Sequence, residues 1–280
     1  MGHVTWDRRD GAQVLGGSAS YAAFTACKLG WDVGVLTAAG PDFEPARDLP
    51  GVATFVGRSS ATTRFVNQYD ADGTRHQVMT ARAEPVDLTV LPDEWRDPDV
   101  LFLAPVAGEV PGRSALAFSA EVVGAGAQGW LRATDVEGRV APCEWVDPQA
   151  DLAGVHLLFL SQHDLPDARG AVPGLMRYVP MIAVTRGWEG LTLFTRQAAH
   201  DVAALPRPEV DPTGAGDVFA TACLLRYQET GDPLEAAAFG ACAASCVVEG
   251  VGASTLGDRA EVERRLTMRQ RLVDDGEWEE

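Results

Sequence analysis

Lysine is almost absent from this 280-residue chain: Lys28 is the only one, although arginine brings the basic total to 23. No G-x-x-x-x-G-K-[ST] motif surrounds Lys28. P-loop NTPases and protein kinases both need a lysine on the phosphates of their nucleotide, so the sequence excludes these two classes. Any phosphate that this chain binds must therefore be held by other donors.

Cysteine is sparse and long apolar segments are missing. The five cysteines form an odd number without a C-x-x-C pair, which argues against a disulfide framework or a zinc site and favours a reducing compartment. The longest apolar run, 236–248, is too short to span a bilayer and predicts a core helix. No apolar targeting segment is visible near the N-terminus. We therefore expect a cytoplasmic protein.

Basic charge is scarce as well. The 23 Lys+Arg against 40 Asp+Glu give a formal net charge of −17. Such a field repels phosphate backbones and anionic lipid surfaces, so we expect no nucleic-acid or membrane partner. A small anion can still bind where local dipoles or a metal oppose the global charge.

Short apolar segments alternate with helical ones along the chain. Strands are predicted at 31–37, 100–103, 157–160 and 181–184, and helices at 21–29, 114–123, 218–227, 233–248 and 261–272. An Asp-Gly turn between 61–69 and 75–80 predicts a β-hairpin. The alternation predicts an α/β fold whose mostly parallel sheet is covered on both faces, with the hairpin outside its core. We expect a single domain over 1–280, with a loose acidic tail at about 274–280.

The densest chemical signal is the segment 211–217, Asp-Pro-Thr-Gly-Ala-Gly-Asp, which precedes a helix. Its glycines let the backbone turn tightly, and the free N–H groups at the start of the helix form an anion site, aided by the helix dipole. Asp217 fits two roles. It can cap the helix, or it can accept a proton from a substrate hydroxyl beside the anion site.

Four segments together resemble the ribokinase-like carbohydrate kinases, also called the pfkB family. The 211–217 segment resembles the family signature D-T-x-G-A-G-D, with Pro212 in place of Thr. Gly-Gly-Ser-Ala-Ser at 16–20 is similar to its N-terminal Gly-Gly element, 184–190 to its nucleotide loop T-x-G-x-x-G, and 249–253 to its closing element near adenine. The segment 2–7 also looks like the end of its first strand.

The resemblance implies a three-layer α/β/α sandwich with a small β-hairpin lid at about 61–80. It also implies phosphorylation of a hydroxyl on a small sugar, polyol or nucleoside, with ATP as donor and Mg²⁺ as cofactor. Under this hypothesis the lid excludes water that would otherwise hydrolyse the donor.

The resemblance also implies roles for individual residues. Asp217 is the catalytic base, and the backbone amides of Gly214, Ala215 and Gly216 form the anion hole. The substrate-binding residues are Asp7, Gly16, Gly17, Ser18 and Asn67. The ATP-binding residues are Thr185, Gly187, Gly190, Thr213 and Gly252. Asp164 supports the metal.

Some positions depart from the family pattern. Ser161 and Asp164 stand where the family often has N-x-x-E, so the carboxylate is shorter by one methylene. Tyr21 stands where an Asn is frequent, which leaves the acceptor undefined. The strand before Asp7 is short, and a plain strand-end turn is the alternative role for this aspartate. For Asn67 the alternatives are packing within the hairpin or a contact in a homodimer formed through the hairpin edge.

One further motif has a different interpretation. Residues 124–129 spell G-x-G-x-x-G, but a dinucleotide site needs a strand before it and a helix after it. Because 114–123 is predicted as a helix, a Gly/Ala-rich loop is expected here. The resemblance to the pfkB family implies that this loop ends a strand and that Gln128 or Arg132 lines the cleft. A nicotinamide oxidoreductase depends on this motif alone, and a non-catalytic nucleotide or sugar sensor is the other alternative.

Overall fold

The computed structural model describes residues 1–9, 12–69, 75–89 and 91–274. The strands are β1 (Thr5–Arg9), β2 (Ala12–Gly16), β3 (Gly34–Ala39), β4 (Ala53–Arg58), β5 (Thr63–Tyr69), β6 (Arg75–Ala81), β7 (Val100–Leu103), β8 (Val122–Gly126), β9 (Arg132–Thr134), β10 (Val140–Pro142), β11 (Leu157–Ser161), β12 (Met181–Thr185), β13 (Leu191–Phe194) and β14 (Ala199–Val202). The α-helices are α1 (Ser18–Lys28), α2 (Pro45–Asp48), α3 (Pro148–Asp151), α4 (Ala168–Leu175), α5 (Ala215–Thr230), α6 (Pro233–Val247) and α7 (Arg259–Asp274).

The main sheet has the strand order β14-β13-β12-β11-β8-β7. Strands β7, β8, β11 and β12 are parallel, and β13 and β14 continue the sheet antiparallel. In β11, Leu158 and Leu160 face a core shared with α4, whereas Leu157 and Phe159 face one shared with α5 and α6. Both faces of the strand are therefore covered, and the predicted three-layer α/β/α arrangement with a mostly parallel sheet is confirmed.

The first residues connect the main sheet to a second parallel pair, β3 and β4. The Gly2 N–H donates to the Leu36 carbonyl (3.1 Å), and the Ala104 N–H donates to the Met1 carbonyl (2.8 Å). Residues 1–4 thus lie between β3 and β7. The segment that precedes Asp7 runs through the body of the molecule, and Asp7 itself lies within β1 and not at a strand end, so the strand-end turn is wrong.

A small sheet of order β2-β1-β5-β6 stands apart from the main sheet. The predicted hairpin strands are confirmed as β5 and β6, which pair antiparallel, and β1 pairs parallel with β5. The turn at 70–74 lies outside the described residues. A second hairpin, β9–β10, adds to β6, where the Met79 N–H donates to the Gly138 carbonyl (2.7 Å).

The predicted helix at 114–123 is wrong. A 3₁₀ turn occupies Ser114–Ala117, and Val122–Gly126 is the buried strand β8 between β7 and β11. A short apolar run has no periodicity that separates a strand from a helix, and here the neighbouring strands decide. A Cβ on Gly124 would lie 2.6 Å from Leu224 Cδ2, so this glycine lets α5 pack closely on the sheet.

The remaining helices and strands agree with the sequence within a few residues. The strand predicted at 31–37 is displaced to Gly34–Ala39, and the acidic tail beyond residue 274 lies outside the described residues. Within the described part of the chain, none of the helices has the length and apolar character that crossing a bilayer requires.

Candidate active site

The start of α5 is a tight turn that only glycine permits. Gly214 precedes the helix with φ 82, in the left-handed region, and a Cβ there would overlap the Tyr21 ring. An L side chain at this position would meet both backbone strain and a steric clash. The turn therefore depends on Gly214, as the 211–217 motif predicts.

Unpaired amides face outward from this turn. The Ala215 N–H donates to the Pro212 carbonyl (3.1 Å) and the Val218 N–H to the Gly214 carbonyl (2.9 Å). Among the described residues, the N–H groups of Gly214, Gly216 and Asp217 donate no hydrogen bond. Gly216 is exposed, and a Cβ built on it would have no atom within 4 Å. The prediction that the Ala215 amide belongs to the anion hole is thus corrected, because this amide already donates to the Pro212 carbonyl.

The carboxyl group of Asp217 accepts no hydrogen bond from the backbone of its own helix among the described residues. It instead accepts a hydrogen bond from Ser18, the first residue of α1. The capping alternative is wrong, and Asp217 faces the segment predicted to hold the acceptor. Ser18, predicted to bind substrate, is buried and contacts the predicted base itself.

The ionisation of Asp217 is shifted toward neutral pH. Burial raises its pKa from 3.8 to about 6, and the negative charge of Asp164 acts in the same direction. The hydrogen bond from Ser18 and the positive charge of Arg132 oppose this rise. A carboxylate with such a pKa is a better proton acceptor than an exposed aspartate and still ionises near pH 7.

Asp164 follows β11 and is fixed by its own turn. Its Oδ2 accepts a hydrogen bond from the Ser161 N–H (2.7 Å). Burial raises the pKa of Asp164, while this hydrogen bond and the charge of Arg132 lower it. The structure thus groups Asp164, Asp217 and Arg132 at the carboxyl end of the parallel strands, where ligands of open α/β sheets bind.

The residues predicted to bind the acceptor share one corner. The Thr5 hydroxyl donates to Asp7 Oδ1 (2.8 Å), and a Cβ on Gly16 would lie 2.6 Å from Asp7 Oδ2. Gly17 has φ 86, and a Cβ there would lie 2.6 Å from the His3 carbonyl oxygen. Both glycines therefore let the chain pass close to β1 before α1 begins.

Asn67, on β5, connects this corner to the second hairpin. Gln77 Nε2 donates to Asn67 Oδ1 (3.0 Å), and Arg132 Nη1 donates to Gln77 Oε1 (3.2 Å). Its neighbour on the same face, Phe65, is 5% exposed and packs into the protein. The sequence did not single out Gln77, since its partners come from two other strands.

Two predicted donor-site residues, Thr213 and Gly252, are held together by Asp211. Asp211 Oδ1 accepts from the Thr213 N–H (3.1 Å) and Oδ2 from the Gly252 N–H (3.2 Å). A Cβ on Gly252 would lie 3.8 Å from the Tyr21 hydroxyl. Tyr21 therefore packs against Gly214 and Gly252, next to the predicted donor-site residues.

The segment 185–190 forms a compact turn after β12. The Thr185 hydroxyl donates to the Leu160 carbonyl (3.3 Å), Gly187 has φ 60, and Gly190, with φ 92, passes so close to Val202 that a Cβ would overlap its carbonyl oxygen. The Arg186 guanidinium donates to the Thr192 hydroxyl and forms an ion pair with Asp201 (3.2 Å). Among the hydrogen bonds and ion pairs of the described residues, none joins this turn to Asp217.

The donor set fits magnesium better than zinc. The described residues contain no cluster of three or more His, Cys, Asp or Glu side chains that would hold a metal alone. Mg²⁺ commonly binds one or two carboxylates together with waters and substrate phosphates. Asp164, whose charge acts on Asp217 and which lies at the carboxyl end of β11, matches that pattern.

The chain is similar to known carbohydrate and nucleoside kinases. Residues 150–259 match the pfkB family of carbohydrate kinases. A cytidine kinase of Thermococcus kodakarensis is 28% identical over 258 residues, covering 84% of this chain and 89% of the relative.

Solved structures share the fold at lower identity. A pyrophosphate-dependent kinase in the ribokinase family, complexed with a pyrophosphate analog and myo-inositol, superposes with a TM-score of 0.78 at 20% identity, covering 94% of this chain and 98% of that one. A fructokinase with bound ATP from Xylella fastidiosa gives a TM-score of 0.75 at 17% identity, covering 96% of both chains.

Proposed function

The chain belongs to the ribokinase-like pfkB family of carbohydrate kinases, phosphotransferases that act on a hydroxyl group, and on that premise we propose that it transfers the γ-phosphoryl group of ATP to a small sugar, polyol or nucleoside. Nucleosides are the first acceptors to test, because the cytidine kinase resembles this chain over most of its length. ATP is favoured as donor by the ATP-bound fructokinase, and pyrophosphate is the second donor to test.

One observation supports this proposal most directly. The Asp217 carboxyl accepts a hydrogen bond from Ser18, and Asp217 follows in the chain Gly214 and Gly216, whose amides donate no hydrogen bond among the described residues. A base and an anion site side by side match what phosphoryl transfer to an alcohol needs.

The proposed reaction follows from this placement. The acceptor lies among Asp7, Gly16, Gly17 and the hairpin β5–β6, which acts as the lid. Asp217 takes the proton of the acceptor hydroxyl, whose oxygen forms the new bond to the γ-phosphorus. The bond from that phosphorus to the bridging oxygen breaks, and ADP leaves with its electron pair. The free amides hold the charge that develops on the phosphoryl oxygens.

Two groups would support the donor. Asp164 would hold a hydrated Mg²⁺, which neutralises phosphate charge when bound. Thr185, Gly187, Gly190, Thr213 and Gly252 would line the nucleotide, with Asp211 fixing the last two. Exclusion of water by the lid would keep the donor from hydrolysis.

The test is a turnover screen with cytidine, adenosine, ribose, fructose and myo-inositol, each with ATP or pyrophosphate and Mg²⁺. We expect acceptor-dependent release of ADP and a loss of about 10²–10⁴-fold in kcat for Asp217→Asn, as for removal of a general base. Asp97→Asn, the same change at an exposed position, is the matched control and should keep full activity. Full turnover in Asp217→Asn would show that the assigned base is wrong. Binding without turnover for every pair would instead identify a sensor.

A further inference from the structure

Arg132 is the cation whose charge reaches both carboxylates of the site. It lowers the pKa of Asp217 and that of Asp164 against the effect of burial. Arginine stays charged at any pH of interest and offers donors in a fixed planar fork, so its orientation determines what it can bind. What fixes the orientation of this side chain therefore bears on catalysis.

The backbone of Arg132 follows two residues that are packed in the protein interior. The preceding Trp130 stacks on Trp145 with ring centroids 5.8 Å apart, and its Nε1 donates to the Val110 carbonyl (3.1 Å). Leu131, between Trp130 and Arg132, is fully buried. The start of β9 is thus anchored in the body of the molecule and not in the small sheet.

The side chain, in contrast, is tied to the small sheet. Arg132 Nη1 donates to Gln77 Oε1 (3.2 Å), and Gln77 Nε2 donates to Asn67 Oδ1 (3.0 Å). Because arginine has only donors, the carbonyl end of Gln77 must face it, and the amide end of Gln77 must then donate to Asn67. The chain of hydrogen bonds therefore has one direction, and the N–H₂ group of Asn67 takes no part in the bond to Gln77.

The two hairpins are also joined through their backbones. The Met79 N–H donates to the Gly138 carbonyl (2.7 Å), and a Cβ on Gly138 would lie 2.6 Å from the Met79 carbonyl oxygen. Val78 and Arg139 form an isolated antiparallel bridge at the same place. The hairpin that carries Asn67 and Gln77 therefore keeps a fixed relation to the strand that begins at Arg132.

We propose that Gln77 is a positioning residue, which aims the Arg132 guanidinium at the Asp217 and Asp164 pair and orients Asn67 so that its N–H₂ group meets an oxygen acceptor on the substrate. The inference rests on the proposed kinase function. It assigns the lid a part in phosphoryl transfer beyond excluding water. Asn67, which would contact the acceptor, and Arg132, whose charge acts on the two carboxylates, both hydrogen-bond to Gln77.

Variants at Gln77 separate the two halves of this role. In Gln77→Met the side chain keeps its length and loses both hydrogen bonds, so Arg132 loses the acceptor that the small sheet supplies. We expect kcat to fall by about 10- to 100-fold, the usual effect of losing a hydrogen bond to a charged group. Gln77→Glu keeps an oxygen for Arg132 but accepts from Asn67, whose amide must turn over. We expect kcat within a few-fold of wild type and a KM for the acceptor raised about 10-fold.

A double variant tests whether Gln77 acts through Arg132. We expect Arg132→Gln to lower kcat at least as much as Gln77→Met, and the two losses not to multiply when combined. Thr80→Ala, an exposed change on the same strand, is the control and should match wild type. Melting temperatures of all variants show that each one folds.

Each outcome is decisive. If Gln77→Met has the kcat of Thr80→Ala, or if its loss multiplies with that of Arg132→Gln, the positioning role is wrong although the kinase function stands. If wild type transfers phosphate to none of the acceptors in the screen, the proposed function fails and this inference fails with it. Gln77→Glu with both kcat and KM unchanged would overturn the assigned direction of the hydrogen-bond chain.

Discussion

Substitution of Gly216 by alanine separates folding from phosphate binding. Gly216 is the second residue of α5, is exposed, and has space where a Cβ would stand. In an α-helix the Cα–Cβ bond tilts toward the N-terminus. The added methyl group therefore enters the region in front of the free amides, where we propose that the transferred phosphoryl group lies.

The expected effects on stability and activity have opposite signs. A helical Gly→Ala change without steric conflict stabilises a protein by about 0.4–1 kcal/mol, because the unfolded chain loses freedom. For a chain of this size, a gain of 1 kcal/mol raises Tm by about 2–4 °C. A displacement of the reacting group by 1 Å costs on the order of 10²-fold in rate. We expect Gly216→Ala to keep or raise Tm and to lower kcat/KM for the donor about 100-fold.

The assay is thermal unfolding together with steady-state kinetics at varied donor concentration. Gly174→Ala makes the same change in α4, where a Cβ also meets no atom within 4 Å, and it should change Tm similarly and activity not at all. If Gly216→Ala keeps both its Tm and its full kcat/KM, the phosphoryl group does not lie against this helix start, and the anion-site reasoning is refuted.

Two other predictions concern pH and packing. Burial raises the pKa of Asp217 to about 6, and Arg132 and Asp164 are the charged groups that act on it. Because the base must be ionised, kcat/KM for the acceptor should fall tenfold for each pH unit below about 6. The folded carboxyl holds its proton more tightly than the unfolded one, so stability relative to Asp217→Asn should decrease as pH rises from 4 to 6; a flat pH–rate profile would contradict the base assignment. In β8, Gly124→Ala forces a methyl group into Leu224 and should lower the free energy of unfolding by about 1–3 kcal/mol, measured with denaturant. Gly126→Ala, whose added methyl group would have its nearest contact at 3.6 Å, should lower it far less. Equal losses would show that α5 moves away from the sheet without a measurable energetic cost.

Elements with strong local signals were predicted from the sequence. The strands at 157–160 and 181–184 are continuous apolar runs because both faces of the sheet are covered, and α6 begins at the predicted Pro233. The strands β9, β10 and β14 were not predicted, since they are short and partly exposed. Strand β13 was also missed, although it is buried, because four residues give too little pattern to recognise. At 114–123 the local pattern favoured a helix, and pairing with β7 and β11 made its end a strand.

In the candidate site, too, features set by adjacent residues were predicted and features set by distant contacts were not. Segments 16–20 and 211–217 indicated the glycine turns and the carboxylate, because the required backbone conformations and the helix start are encoded by adjacent residues. The sequence did not show that the Ala215 amide is occupied by Pro212 or that Ser18 contacts Asp217.

The amino-acid sequence by itself determined the chemistry on offer: an acidic group beside a glycine-rich helix start, in a chain with a single lysine. Only the tertiary structure decided which way that acid points and which cation faces it. The physical reason is that a turn depends on neighbouring residues, whereas the contacts of Asp217 and Arg132 join strands and helices far apart in the chain. Sheet order and helix packing bring them together, and no local pattern records that order.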